Sequence, residues 1–260
     1  MILKNRLLKV SYIEVRQNYK MVKKNCFLLF TTLLISCSSG YENDGKIVSY
    51  KYWNEGTGSH KFSLEADPKS FTVLKHDRYA KDKKYVFFDG QIIPNADPAT
   101  FESLDEFYAR DKFRGYYDKD SIISSKGTTF KVIDSYYSTD GHDIFYTTYP
   151  LKVCSVENFR VVYEQNNWER WTTDGCYYFF KHYKIPSKDY NNVSFFKGSA
   201  GLAKDRRWVY FLDRKLNYND EGKQILDTVD VSSFEVTDYI ECKDKFGCIN
   251  VFQGREECEK

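Results

Sequence analysis

Six aspartates stand at matching places along the 260-residue chain: Asp82, Asp111, Asp140, Asp174, Asp205 and Asp244. A row of carboxylates repeated in this way has the residue type needed to line one edge with cation ligands, because hard cations gather several carboxylate oxygens. Their neighbours argue for a different job. Lys or Arg follows Asp82, Asp111, Asp205 and Asp244, and Gly follows Asp140 and Asp174. A cation site would hardly place a base beside nearly every carboxylate, whereas an Asp bonding its own backbone in a turn tolerates either neighbour. Asn217–Gly222 has the look of a calcium loop, but its twelfth position is Thr228 where a bidentate Glu is required. His60, His76, His142 and His182 are scattered, and no CxxC pair, HExxH, P-loop or GxSxG motif is present. No metal or cofactor is expected, and an enzyme has no motif in its support.

Two other residue sets have chemical meaning. Between Phe159 and Asp174 the chain carries extra residues, VVYEQNNWERWTTDG, with Tyr163, Trp168 and Trp171. Exposed on a loop, these rings would stack on a sugar or on a partner's surface; buried, they would cover a longer hairpin. Beyond Cys37 there are five cysteines, Cys154, Cys176, Cys242, Cys248 and Cys258, so at least one is free or pairs between chains. Cys154 with Cys176 would staple the insertion, and Cys242 with Cys248 flank a turn and would face each other across it. Buried free thiols are the other reading.

The elements that must position these residues read as β. Aromatics make up 18% of the chain, with 22 Tyr and 20 Phe against 5 Pro, a composition that favours strands over helices and excludes disorder. Each Asp follows a Phe that opens a unit: Phe71, Phe101, Phe130, Phe159, Phe195 and Phe234, spaced 30, 29, 29, 36 and 39 residues apart. Asp-Pro at 67–68 and 97–98 suits a turn before the Phe, and Asp-Gly at 140–141 and 174–175 signals a hairpin. The fifth residue after each Asp is Phe87, Tyr116, Phe145, Phe179, Tyr210 or Ile249. The sixth is Phe88, Tyr117, Tyr146, Phe180, Phe211 or Asn250. Successive strand residues point to opposite faces, so both faces are apolar in nearly every unit. A lone hairpin cannot hide both, and stacked neighbours can. The expected fold is all-β: about six tandem β-hairpin units of ~29–39 residues in a curved stack. Propeller blades usually need ~40 residues, which leaves propeller-like closure as the alternative.

The stretch YAKDKKYVFFDGQIIPNADPATF resembles the DKNYY repeat family of bacterial exported proteins. The likeness runs over roughly Ala66 to Phe252, is good in the first two units and degenerate after them. Asp-Lys-Lys-Tyr-Val at 82–86 and Asp-Lys-Phe-Arg-Gly at 111–115 both depart from the letters of the motif. The resemblance implies β-hairpin repeats in an envelope protein and brings no activity or catalytic residue with it.

The N-terminus reads as a lipoprotein signal. Lys23-Lys24 is a basic pair, Cys26–Ile35 is an apolar run too short to span a bilayer, and Leu34-Ile35-Ser36-Cys37 resembles a lipobox with Cys37 as the acylated residue. A plain secretory signal is the other reading, and residues before Met21 are either an upstream-start extension or a long basic region. Without residues 1–37 the chain carries 32 basic and 36 acidic residues, a formal charge of −4, so nucleic acid is not expected as a partner. The expected organisation is a signal over 1–37, a flexible tether over 38–46, an N-terminal hairpin or cap over 47–65 and a β-repeat domain over 66–260. The expected role is a lipid-anchored, exported, non-catalytic scaffold or protein-interaction module, with Ser38 after Cys37 favouring the outer membrane. A glycan or peptidoglycan binder using Tyr163, Trp168 and Trp171 is the alternative.

Overall fold

The computed structural model describes residues 39–165 and 169–258. Cys37 and Trp168 therefore lie outside the described residues. The chain divides into two compact units, Met1–Pro68 and Lys69–Lys260.

The first unit holds a three-stranded antiparallel sheet, Gly40–Asn43, Val48–Asn54 and Gly58–Ser63. The tether expected over 38–46 is thus corrected for its central residues, which form a strand. Tyr41 pairs with Tyr50 and packs edge-on against its ring, and Asp44 Oδ1 accepts the amides of Lys46 and Ile47 to turn the chain. The small polar composition of SSGYENDGK thus belongs to an Asx turn and one aromatic anchor, which composition alone does not distinguish from a linker. The second and third strands pair as a hairpin, with Tyr50 opposite Phe62 and Tyr52 opposite His60.

The second unit is all antiparallel β apart from two short 3₁₀ turns. Among the described residues it contains six four-stranded sheets whose strands follow one another in chain order. They cover residues 72–92, 102–122, 131–150, 160–184, 194–215 and 235–256. The Phe-led segment gives the first strand, the Asp turn joins the second to the third, and a second tight turn joins the third to the fourth.

The alternation around each Asp decides how the sheets meet. The fifth residue after each Asp is buried to 2% exposure or less in all six units. From the second unit on it faces the preceding sheet: Tyr116 packs with Val86 and Phe88, Phe145 with Tyr108, Phe179 with Ile144, Tyr210 with Trp171, and Ile249 with Val209 and Phe211. The fourth and sixth residues face the following sheet. Five core clusters result, each shared by two consecutive sheets. Among the described residues, no core cluster joins the first sheet to the sixth.

Two details sharpen the packing. Gly115 takes the fourth place after Asp111, and a Cβ there would lie 2.4 Å from the Phe130 ring of the next unit. The missing side chain is the space that Phe130, fully buried, fills. The seventh place is left-handed in five units, Asp89, Asp118, Thr147, Lys181 and Leu212, with φ between 46° and 56°. Each amide there bonds the carbonyl four residues before the Asp, as in Asp118 N to Phe107 O and Thr147 N to Tyr136 O. Two seventh-place residues also reach the previous sheet through their own carbonyls, for Tyr79 Oη donates to Asp118 O and Tyr137 Oη to Lys181 O.

Candidate functional site

Every one of the six repeated aspartates is buried. In five units Oδ1 accepts the amides two and three residues on, as from Lys84 and Tyr85 at 2.7 and 2.6 Å to Asp82 and from Arg207 and Trp208 at 2.8 Å to Asp205. In the sixth, Asp244 Oδ1 accepts Phe246 N and the Arg255 guanidinium. Oδ2 reaches back to the linker that enters the unit. Asp111 accepts Asp97 N, Asp140 accepts Lys126 N, Asp174 accepts Cys154 N and Asp244 accepts Asp230 N, all between 2.8 and 3.0 Å. Asp205 Oδ2 accepts the hydroxyls of Ser187 and Tyr210 at 2.6 Å. The carboxylates are taken up by protein donors, so their chemistry is that of a clasp.

Two of these linkers also touch the Asp turn of the sheet they leave. Gly127 N donates to Phe113 O, and Lys152 and Val153 donate to the Asp143 carboxylate. The second, third and fourth Asp turns therefore lie side by side along one edge of the second unit.

These clasps make a pH prediction. Burial pushes the Asp205 carboxyl up, but hydrogen bonds from Ser187, Tyr210 and the two turn amides outweigh it and leave the group below its ordinary value. At Asp244, burial is likewise outweighed by Arg255 and by the Asp230 and Phe246 amides. A folded-state pKa below the unfolded one stabilises the fold above the unfolded pKa, near ~4, and that contribution is lost as pH falls through the folded value. Urea midpoints are expected to hold steady from neutral pH to about 5 and to fall below about 4. The fall is expected to be shallower in Asp205→Asn; an equal slope in that variant would remove Asp205 from the account.

At the tips of these turns the edge presents aromatic rings with cations over them. Lys84 Nζ lies 4.4 Å from the Tyr85 ring centre, Lys112 4.8 Å from Phe113, and Lys184 3.3 Å from Tyr177. Lys215 lies 3.4 Å from Trp208 and Lys245 5.0 Å from Phe246. Phe113, Trp208 and Phe246 are exposed. The third tip carries His142 in their place.

The aromatic insertion is placed differently from the loop reading. Its residues lengthen two strands, Arg160–Gln165 and Glu169–Thr173, with a bulge between Val161 and Tyr163. Trp171 is fully buried, stacked at 4.9 Å on Phe195 of the next sheet and packed on Phe180, so it is corrected from ligand platform to core residue. Tyr163 is half-buried beside Phe195, and its hydroxyl donates to Gln165. Neither ring joins the row of turn tips.

Cys154 is bonded to Cys176, which ties the fourth linker to the fourth Asp turn. The sulfurs and Asp174 lie within 4.8 Å of one another, but both sulfurs are spent in the disulfide. The pairing of Cys242 with Cys248 is corrected: Cys248 is bonded to Cys258, and Cys242 is a buried free thiol, pushed up to about 12 by burial. The register explains it. Cys242 pairs with Ile249 and Cys248 with Lys243, and that one-residue offset sends the two side chains to opposite faces.

Sequence reasoning missed Arg170. It is buried, bridges Asp134 of the third sheet and Glu164 of its own, and lies over the Tyr136 and Tyr137 rings. Its signal was its place four residues before the Asp, where Arg78 stands in the first unit, ion-paired with Asp89.

Neither the curated proteins nor the solved structures offer a match to the chain. The sequence model of the DKNYY family matches residues 9–120 and 64–175, well over half of the chain. That span covers the first four of the repeated aspartates, and the chain belongs to the DKNYY family.

Proposed function

We propose that this repeat protein is lipid-anchored in the cell envelope and acts as a non-catalytic scaffold or protein-interaction module. One observation carries the reading: what repeats is consumed internally. The six aspartates clasp turns and linkers, and the aromatic columns join sheet to sheet, while the turn tips of the same edge leave rings and cations exposed. A rigid array with displayed side chains is the arrangement through which repeat proteins hold partners. Export and anchoring rest on the order of basic pair, apolar run and Cys37, and Ser38 favours the outer membrane. Glycan binding through Tyr163, Trp168 and Trp171 loses support with the burial of Trp171, which removes one of its three rings from the surface.

The test is expression in a bacterial host with radiolabelled palmitate, followed by envelope fractionation and cross-linked pull-down from the native envelope. The wild-type chain is expected to take the label, sediment with membranes and recover one partner in near-equal amount. Cys37→Ala is expected to lose both label and membrane. An unlabelled, soluble wild-type chain would overturn the anchor, and the absence of any cross-linked partner would overturn the module.

A further inference from the structure

We infer that the hollow at the tip of the fifth Asp turn docks an acidic peptide segment of a partner protein, an inference that rests on the interaction-module reading above. The cations along the edge are not equivalent. Lys112 is neutralised by Asp97 at 2.6 Å and Lys245 by Asp230 at 2.8 Å, both carboxylates belonging to linkers. Between the fourth and fifth turns that arrangement stops. Lys184, Lys188, Arg207 and Lys215 make no ion pair among the described residues.

Three of those four, Lys188, Arg207 and Lys215, line a hollow of about 480 Å³ together with Trp208. Two carboxylates also line it, so three positive charges face two negative ones, but neither carboxylate is ion-paired with those cations. Asp205 is filled by two amides and two hydroxyls, and Asp189 accepts Asn192 Nδ2 at 2.6 Å. The lining keeps one net positive charge and three cations that make no ion pair, so an anion seated among them gains Coulomb attraction.

The ring decides which anion. A sugar needs an open aromatic face to stack on, and Lys215 Nζ sits 3.4 Å over the centre of Trp208. The ring thus holds an ammonium in place by cation–π attraction instead of offering a platform. Beside it Arg207 supplies a planar fork that suits a carboxylate in a bidentate pair. A held ammonium and a guanidinium, with Lys188 lining the same hollow, fit successive Asp or Glu side chains of an extended chain.

The test is a titration of the intact chain in detergent with a fluorescein-labelled hexaglutamate peptide. Arg207→Glu with Lys215→Glu is expected to weaken binding by at least about tenfold, because each reversal converts an attraction into a repulsion. Raising the salt to about 0.5 M is expected to weaken the wild type in the same sense, since exposed charges are screened. Lys131→Glu, an exposed change on the third sheet, is expected to leave binding unaltered. Circular dichroism of the double variant checks that the sheets persist. Equal binding by the double variant would overturn the proposal, as would tighter binding of an oligogalacturonate, which would assign the hollow to acidic sugars. The envelope pull-down separates the two readings. A partner recovered undiminished by the double variant sinks the hollow and leaves the module standing, whereas no partner with either chain sinks the module.

Discussion

Asp111→Ala is expected to lower the free energy of unfolding by roughly 3–5 kcal/mol, one of the largest losses available to a single side chain here. Asp111 is 2% exposed and accepts four hydrogen bonds: from Phe113 N at 2.8 Å, Arg114 N at 2.9 Å, Asp97 N at 3.0 Å and Tyr116 Oη at 2.6 Å. Alanine removes every acceptor at once and leaves three amides and a buried phenol without partners, each stranded group costing about 1–3 kcal/mol before water recovers part of it. Asp111→Asn keeps one carbonyl oxygen for the turn amides but turns an amino group toward the other donors, so about half the loss is expected. Urea denaturation of both variants, read by far-ultraviolet circular dichroism, gives the comparison. A loss below about 1 kcal/mol in the alanine variant would mean that the clasp is incidental to the fold.

The second large effect concerns Trp171. If the ring were a surface platform, its removal would change binding and little else. Fully buried, and stacked between sheets on Phe195 with Phe180 beside it, Trp171→Ala is expected to cost about 3–5 kcal/mol, the range for emptying an aromatic site in a core. Core clusters join only neighbouring sheets, so the damage should be local. Hydrogen exchange is expected to show lost protection in the fourth and fifth sheets, with the first and second nearly unchanged. Uniform loss across all six sheets would refute the neighbour-by-neighbour account, and Trp171→Phe should recover much of the stability.

Much of the architecture was legible because side chains carried it. The column at the fifth place after each Asp alternates against its neighbours, and period two reveals both its strand and its two-sided burial. The left-handed column at the seventh place was not legible. Asp89, Asp118, Thr147, Lys181 and Leu212 share no chemistry, because the work there is done by an amide and a carbonyl that every residue has. Trp171 was misplaced by counting forward from Phe159. Counting back from Asp174 sets it three residues before the Asp, in one column with Tyr79, Tyr108 and Tyr137, all fully buried. Cys242 and Cys248 were paired by their distance along the chain, whereas faces are decided by register, which a hairpin sequence with Gly247 in its strand does not announce. The unneutralised cations of the fifth tip escaped notice for a related reason. Lys188 and Lys215 come from the linker and the last strand, and neither is near Arg207 in sequence.

The pairing of Gly115 with Phe130 bears on the order in which this chain could have changed. The other units have Val86, Ile144, Tyr178, Val209 or Cys248 where the second has Gly115. A side chain there would occupy the volume of the Phe130 ring, so a return from glycine is barred while the ring stays seated, and the ring cannot leave without opening a void. An ancestral valine or isoleucine at this place would have required the shrinkage first and the inward move of the ring second. Across that interface the two positions inherit as one.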